Sequence, residues 1–343
     1  MIKLLVSALE PSANLHLEPI LKELQEYELV GIFDDKLANP LYPSSDFGVM
    51  GFIDIIPKII KAKEAISEMV QLSKDVDKVL LIDSPAFNLP LAKAIKSKYP
   101  NKEIIYYILP QVWAWKRGRV KKVEKYCDKL ASIMPFEPKF YNRAKYVGNP
   151  LLDEIKLSHD RSKTYNQVAF LPGSRKSEIK MLMPIFREVA KEINKRKVLV
   201  IPKFFKDSDL SQFYGDISDF EISYDLQESL SKSDFAFICS GTATLEAALI
   251  ATPFLLAYKA KKIDMFIAKR FVKLTHVGLA NIIMDFFQKE PVHKELLQEE
   301  VTKENLLKEY NSFDKENFFT KSLELRAILK HGSAKNVVKM ITI

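Results

Sequence analysis

The stretch DFAFICSGTATLEAALI, residues 234–250, decides how the chain is read. Phe235, Ala236, Phe237 and Ile238 make an apolar run of the kind found in a buried strand. Ser240-Gly241-Thr242 is a small-residue turn with cap chemistry, and Thr242 to Ile250 is rich in good helix formers. A strand, a tight turn and a helix start aim free backbone N–H groups and the positive end of a helix dipole at one point. That point suits a phosphate or diphosphate. Glu246, one turn into the helix, is placed to reach sugar hydroxyls. An ordinary strand-to-helix corner of an α/β domain has the same pattern, so the rest of the chain must arbitrate.

Working outward, strands and helices alternate on both sides. The second half offers QVAFLPGS (167–174), a helix over 177–194, KVLVIPKF (197–204), FEISYD (220–225) and PFLLAYK (253–259). The first half offers strands at 2–8, 28–33, 78–83, 103–109, 128–134 and 144–150. Helices are expected between them over 12–25, 54–74, 89–98, 113–127 and 136–143. Residues 153–166 are polar and lack strand patterning. The pattern predicts an α/β protein of two doubly wound, parallel-sheet domains facing a cleft: 1–155, 156–313, and a helical tail over 314–343.

Composition narrows the class. The 343 residues are 47% hydrophobic and 28% charged, which are globular values. Two cysteines, Cys127 and Cys239, give neither a disulfide framework nor a zinc pattern and fit a reducing cytosol. MIKLLVSALEPSA at the start reads as a first strand rather than a signal peptide, and no apolar stretch is long enough to span a bilayer. A net charge of +8 and a pI of about 9.1 point to an anionic partner. No nucleic-acid module accompanies the basic residues, so nucleic acid is not that partner. The five histidines have no metal-ligand spacing, and neither a Walker lysine motif nor GxGxxG is present.

Ligands of open α/β sheets bind outside the carboxyl ends of the strands. The polar residues there are Glu10 and Ser12, Asp83 and Asn88, and Gln111 in the first half. In the second half they are Gly173, Ser174 and Arg175 in LPGSR, Ser240, Gly241, Thr242 and Glu246, with Asn281 in a further loop. A Gly-Ser turn opening a helix beside an arginine makes a diphosphate clamp. Asp83, ending a buried strand, is placed to take a proton from a hydroxyl, although a capping aspartate before Ser-Pro looks the same. Two basic stretches stand out. VWAWKRGRVKKVEKYC (112–127) mixes Trp113 and Trp115 with Lys116, Arg117, Arg119, Lys121 and Lys122, and reads as a helix with one charged face or a seat for a phosphorylated ligand. In KKIDMFIAKRFVKL (261–274), Phe266 and other apolar residues recur at helical spacing among Lys261, Lys262, Lys269 and Arg270. That is a basic amphipathic helix suited to an anionic bilayer, or one packed on its own domain.

These motifs together resemble the lipid-A-disaccharide synthases. The matching pieces run in order: VMGFIDII (49–56), LIDSPAFNLPL (81–91), YILPQVWAWKRGRVKKV (107–123), MPFEPKFY (134–141), YVGNPL (146–151), AFLPGSRKSEIKMLMPIF (169–186), SGTATLEAAL (240–249), AYKAKKIDMFIAKRFVK (257–273) and KELLQEEVTKENL (294–306). The resemblance implies a GT-B architecture, with C-terminal helices crossing back to the first domain. It implies transfer of a sugar from UDP-2,3-diacylglucosamine to the 6-hydroxyl of 2,3-diacylglucosamine 1-phosphate (lipid X), with inversion, one base and no cofactor or metal. Asp83 matches the family's strand-end aspartate and would be the base. Glu10, Ser12 and Asn88 would lie on the acceptor side. Gly173, Ser174, Arg175, Ser240, Gly241, Thr242, Glu246, Asn281, Glu295 and Gln298 would hold the UDP-sugar. The implied partners are these two substrates and the anionic inner face of the inner membrane, met through Lys261, Lys262, Phe266, Lys269 and Arg270; a homo-oligomer is compatible. Ala13, Ala86, Asn149 and Ala280 depart from the family's usual Gly, Asp, His and Pro. The alternatives are another UDP-sugar enzyme of the same fold (an epimerase or a peptidoglycan-type transferase) or a non-catalytic anionic-lipid-binding protein.

Overall fold

Valine, isoleucine, leucine and aromatic runs with no polar alternation can only be strands if both faces are covered, and that is how the chain uses them. The computed structural model describes residues 1–47, 55–156, 158–260 and 274–343, with only the backbone described for 55–59. The basic stretch carrying Lys261, Lys262, Phe266, Lys269 and Arg270 lies outside the described residues, as does most of VMGFIDII (49–56). The chain divides into two units, Met1–Asp153 with Leu329–Ile343, and Glu154–Ile328.

The first unit holds strands β1 (Ile2–Ser7), β2 (Tyr27–Phe33), β3 (Tyr42–Pro43), β4 (Lys78–Ile82), β5 (Ile104–Tyr107), β6 (Lys129–Ser132) and β7 (Ala144–Tyr146). They form one seven-stranded sheet in the order β3-β2-β1-β4-β5-β6-β7. Every pairing is parallel. Between them run α1 (Pro11–Glu23), α2 (Ile55–Leu72), α3 (Pro85–Lys98), α4 (Arg119–Tyr126) and α5 (Pro150–Glu154). Proline opens α1 and α3 at the first helical position, where its missing N–H costs nothing. Apolar clusters cover the sheet on both faces.

The second unit holds β8 (Gln167–Leu171), β9 (Arg196–Val200), β10 (Glu221–Ser223), β11 (Phe235–Ile238), β12 (Phe254–Tyr258) and β13 (Glu295–Leu297), ordered β10-β9-β8-β11-β12-β13. These pairings too are parallel. Its described helices are α6 (Lys176–Glu192), α7 (Ser211–Tyr214), α8 (Leu226–Ser231), α9 (Thr242–Ile250), α10 (Leu279–Phe286), α11 (Lys303–Asn311) and α12 (Lys315–Ile328). A final helix, α13 (Ser333–Thr342), rejoins the first unit, where Val337 and Ile341 pack with Leu17, Ile20 and Leu21 of α1. No described helix is long and apolar enough to cross a membrane.

Three departures from the sequence reading stand out. The helix expected over 113–127 starts only at Arg119. Residues 111–118 form turns instead, because the buried Trp113 indole donates to the Glu137 carboxylate (3.0 Å) and ties this segment down. The helix expected over 136–143 is a single 3-10 turn, Glu137–Phe140. KELLQ contributes a short edge strand, β13, that the charged flanks hide from a hydrophobic scan.

One carboxylate caps the start of α13. Asp153 accepts from the Gly332 amide (3.0 Å) and the Ser333 amide (2.9 Å), satisfying the orphan N–H groups at the helix start. Replacement Asp153→Ala is expected to cost about 1–3 kcal/mol. Native-state hydrogen exchange would show it as faster exchange of the α13 amides, with those of β11 unchanged.

Candidate functional site

In the first unit the site begins where β1 and β4 end side by side. Ser7 pairs with Leu81 across the two strands, which delivers the following loops to one edge of the sheet. Glu10 is the N-cap of α1 and is half-buried; its loop is held by Asn14, whose amide donates to Ala8 O (2.9 Å) and Glu10 O (3.0 Å). Asp83 and Ser84 follow β4 with φ of +49° and +42°, consecutive left-handed conformations that non-glycine residues seldom adopt. Their strain is carried by two braces on the Asp83 carbonyl. Asn88 donates to it at 2.8 Å and the Tyr106 hydroxyl at 2.7 Å.

This turn presents the half-buried Asp83 carboxylate close to Glu10 and His16. Burial holds Asp83 above the usual carboxylate range, while the Ser84 amide and the His16 charge pull part of the way back. Glu10 is also pushed up, by burial and then by the Asp83 charge. The two carboxylates therefore lie within electrostatic reach of each other, and burial is the main cause of the upward shift in both. Ser12 is exposed on the first turn of α1. Asn88 does not face outward as expected. It is fully buried, its Oδ1 accepts from Ser7 Oγ (2.6 Å), and its Nδ2 holds the Asp83 turn. Asn149, which stands where the resemblance calls for histidine, is buried and caps α5 by accepting from the Leu151 amide (3.1 Å).

In the second unit the two glycine turns lie side by side. Leu171 and Ile238 pair at the ends of β8 and β11, and the Cys239 amide donates to Leu171 O at 2.8 Å. The starts of α6 and α9 therefore emerge from neighbouring strands. Gly173 has φ +104°, and a Cβ there would lie 2.7 Å from Glu178 Oε2, so no other residue fits. Gly241 has φ +103° and ψ −162°, a region open only to glycine. Ser174, Arg175, Gly241 and Thr242 are exposed, and Ser240 and Glu246 half-buried. Arg175 Nη1 pairs with Glu178 Oε1 at 3.0 Å while the rest of its side chain stays three-quarters exposed (75%). The arrangement offers backbone amides and a steered guanidinium to an anion. Sequence reading missed Glu178 and Thr244. Thr244 Oγ1 donates to Gly241 O (2.8 Å) and accepts from the Leu279 amide (3.1 Å), tying the α9 turn to α10.

Glu295 and Asn281 form a second brace. Glu295 accepts from the amides of Val277 (2.7 Å) and Gly278 (3.0 Å) and from Asn281 Nδ2 (2.9 Å). Burial pushes the Glu295 carboxyl up, partly offset by these three donors and the His276 charge. Asn281 is fully buried. Its Nδ2 also donates to His293 O and its Oδ1 accepts from the Val292 and His293 amides, so it holds the 292–295 segment. Gln298, at φ +55°, accepts through its carbonyl from Lys259 Nζ (3.0 Å). Among the described residues no cluster of three or more His, Cys, Asp or Glu side chains is placed to hold a metal.

With this geometry in hand, comparison with known proteins is informative. The family model for lipid-A-disaccharide synthetase matches residues 4–338. "Lipid-A-disaccharide synthase" of Campylobacter jejuni strain RM1221 is 52% identical, covering 98% of both chains. That of Helicobacter pylori strain G27 is 51% identical, over 97% of this chain and 96% of its own. Among solved structures, Acinetobacter baumannii MurG aligns with a TM-score of 0.58 at 12% identity, covering 100% of this chain and 99% of that one. A UDP complex of Arabidopsis thaliana UGT89C1 aligns with a TM-score of 0.60 at 12% identity and the same coverage. At such identity the likeness shows the fold alone, two parallel-sheet α/β domains of the GT-B glycosyltransferase class. Matched along nearly its whole length by that family model and by relatives about half identical to it, the chain belongs to the lipid-A-disaccharide synthetase family of glycosyltransferases.

Proposed function

We propose that the protein makes the lipid A disaccharide. It transfers 2,3-diacylglucosamine from its UDP conjugate to the 6-hydroxyl of 2,3-diacylglucosamine 1-phosphate, forming a β-1,6 bond with inversion and releasing UDP. The observation that carries this reading is the 52% identity, over 98% of the chain, to a protein of that name. The chemistry of the two strand-end sites supports it.

In this reading Asp83 is the base. The acceptor hydroxyl gives its proton to the Asp83 carboxylate as its oxygen bonds to the donor's anomeric carbon. The bond from that carbon to the diphosphate breaks from the opposite face, and UDP leaves with the electron pair. A base held above the usual carboxylate range accepts an alcohol proton more readily than an ordinary aspartate does. Departure of the diphosphate is assisted by the amides at the starts of α6 and α9 and by Arg175, with Glu246 on the ribose. Glu10 and Ser12 orient the acceptor. Work at the cytoplasmic face of the inner membrane is part of the proposal and rests on the basic sequence around Lys261–Arg270.

An assay with acylated donor and acceptor, reading UDP and disaccharide, tests the reaction; a preference for non-acylated UDP-N-acetylglucosamine would overturn it. Asp83→Asn is expected to lower kcat by about 10²–10⁴-fold, with UDP affinity by calorimetry unchanged. Arg175→Ala should instead raise the donor KM by about 10- to 100-fold. For the wild type, kcat/KM should fall as pH drops through a midpoint above the usual carboxylate range, because protonating Asp83 removes the base. Retention of that acid limb in Asp83→Asn would assign the base elsewhere.

A further inference from the structure

The turns at 111–118 have no role in the mechanism above, yet they are firmly built. Trp113 is buried, its indole donates to Glu137, and its ring meets Phe136 edge-on at 5.3 Å. Glu137 is itself fully buried and also accepts from Ser132 Oγ at 2.7 Å. This anchor fixes the segment that follows, in which Trp115 is 44% exposed, unusual for so large an apolar side chain.

Trp115 collects charge. Lys116 Nζ lies 4.2 Å from its ring centroid and the Arg119 guanidinium 5.2 Å from it. Two cations on one indole repel each other, and an anion between them would relieve that repulsion. From Lys116 to Lys125 the chain carries six cations and a single acid, Glu124. That acid is committed to Arg143 at 2.8 Å. Among the described residues, no carboxylate pairs with Lys116, Arg117 or Arg119.

The location selects the anion. β5 lies beside β4, and the Asp83 amide donates to Tyr107 O at 3.0 Å, so the loop after β5 leaves the sheet next to the Asp83 turn. Tyr106, which braces Asp83 through its hydroxyl, feels the charges of both Asp83 and Arg119. A cationic cluster that only gripped a bilayer would have no reason to lie within electrostatic reach of the tyrosine that braces the proposed base.

We propose that Trp115, Lys116 and Arg119 form the subsite for the acceptor's phosphate monoester, holding it while the hydroxyl across the same sugar ring meets Asp83. This rests on the acceptor assignment made above. The anion is the substrate's own phosphate rather than a membrane headgroup.

The test compares wild type with Lys116→Ala/Arg119→Ala in neutral detergent micelles. The acceptors are 2,3-diacylglucosamine 1-phosphate and the same glycolipid without phosphate. The double variant should raise the KM of the phosphorylated acceptor by about tenfold or more, leave the phosphate-free acceptor as it was, and bind UDP as wild type does. A KM unchanged, or raised equally for both acceptors, overturns the subsite. So does a defect seen only on phosphatidylglycerol vesicles and tracking lost co-sedimentation, which would make the cluster a headgroup contact. Calorimetry with a short-chain diacylglucosamine 1-phosphate reads the subsite without turnover. If wild type binds that probe and the variant does not, the subsite stands even where no disaccharide forms, and only the proposed reaction falls. Should the double variant lose its wild-type melting temperature, Lys116→Ala alone, at an exposed position, carries the same comparison.

Discussion

A loop backbone drawn into the interior must find hydrogen-bond partners, and at the candidate-site loops of this protein buried asparagines supply many of them. Asn14, Asn88 and Asn281 are all buried, at 5%, 0% and 0% exposure. Each amide offers two donors and an acceptor on one rigid plane, so each can close several orphan backbone groups at once. Asn14 joins the Glu10 loop to the end of β2 by accepting from the Asp34 amide at 2.7 Å. Asn88 ties β1 to the Asp83 turn, and Asn281 ties α10 to the 292–295 segment. Loss of any one would leave buried donors unpaired, at about 1–3 kcal/mol each. The candidate-site loops are thus ordered by buried side chains.

The parallel sheets turn this local order into a site. In a parallel sheet every strand points the same way, so the loops following neighbouring strands are gathered at one edge. β1 and β4 bring Glu10 within electrostatic reach of Asp83. β8 and β11 bring the Gly173 and Gly241 turns together. The two edges then differ by chemistry. The first carries half-buried carboxylates that favour a proton, and the second carries exposed amides and a guanidinium that favour an anion. Neither feature depends on a regular element being unusual; both arise from what the strands deliver.

The strained turn at Asp83 and Ser84 shows where the folding free energy is redistributed. Two consecutive left-handed residues cost about 1–3 kcal/mol each. The offset comes from Asn88 and Tyr106 on one carbonyl and from the apolar strands β4 and β5 that carry them. Proline at the start of α3 contributes too, because it presets the backbone immediately after the strained pair.

Much of this was legible in the sequence. Apolar runs such as Phe235–Ile238 have to be buried strands, and Gly173 and Gly241 are glycines because their backbones exclude any Cβ. Periodicity and cap chemistry therefore determine the two α/β units and the helix starts that face an anion. The sequence does not separate a polar residue that faces a ligand from one that braces a loop. Asn88 and Asn281 stand at strand ends and helix starts beside Asp83 and Glu295, and only the tertiary packing buries them. Nor does periodicity show that the helix expected from residue 113 gives way to turns. That outcome is set by the Trp113–Glu137 hydrogen bond, a contact between groups 24 residues apart. Local order follows from neighbouring residues and their allowed dihedrals. The division of labour between bracing and binding depends on which distant groups meet, and that is decided only when the sheets assemble.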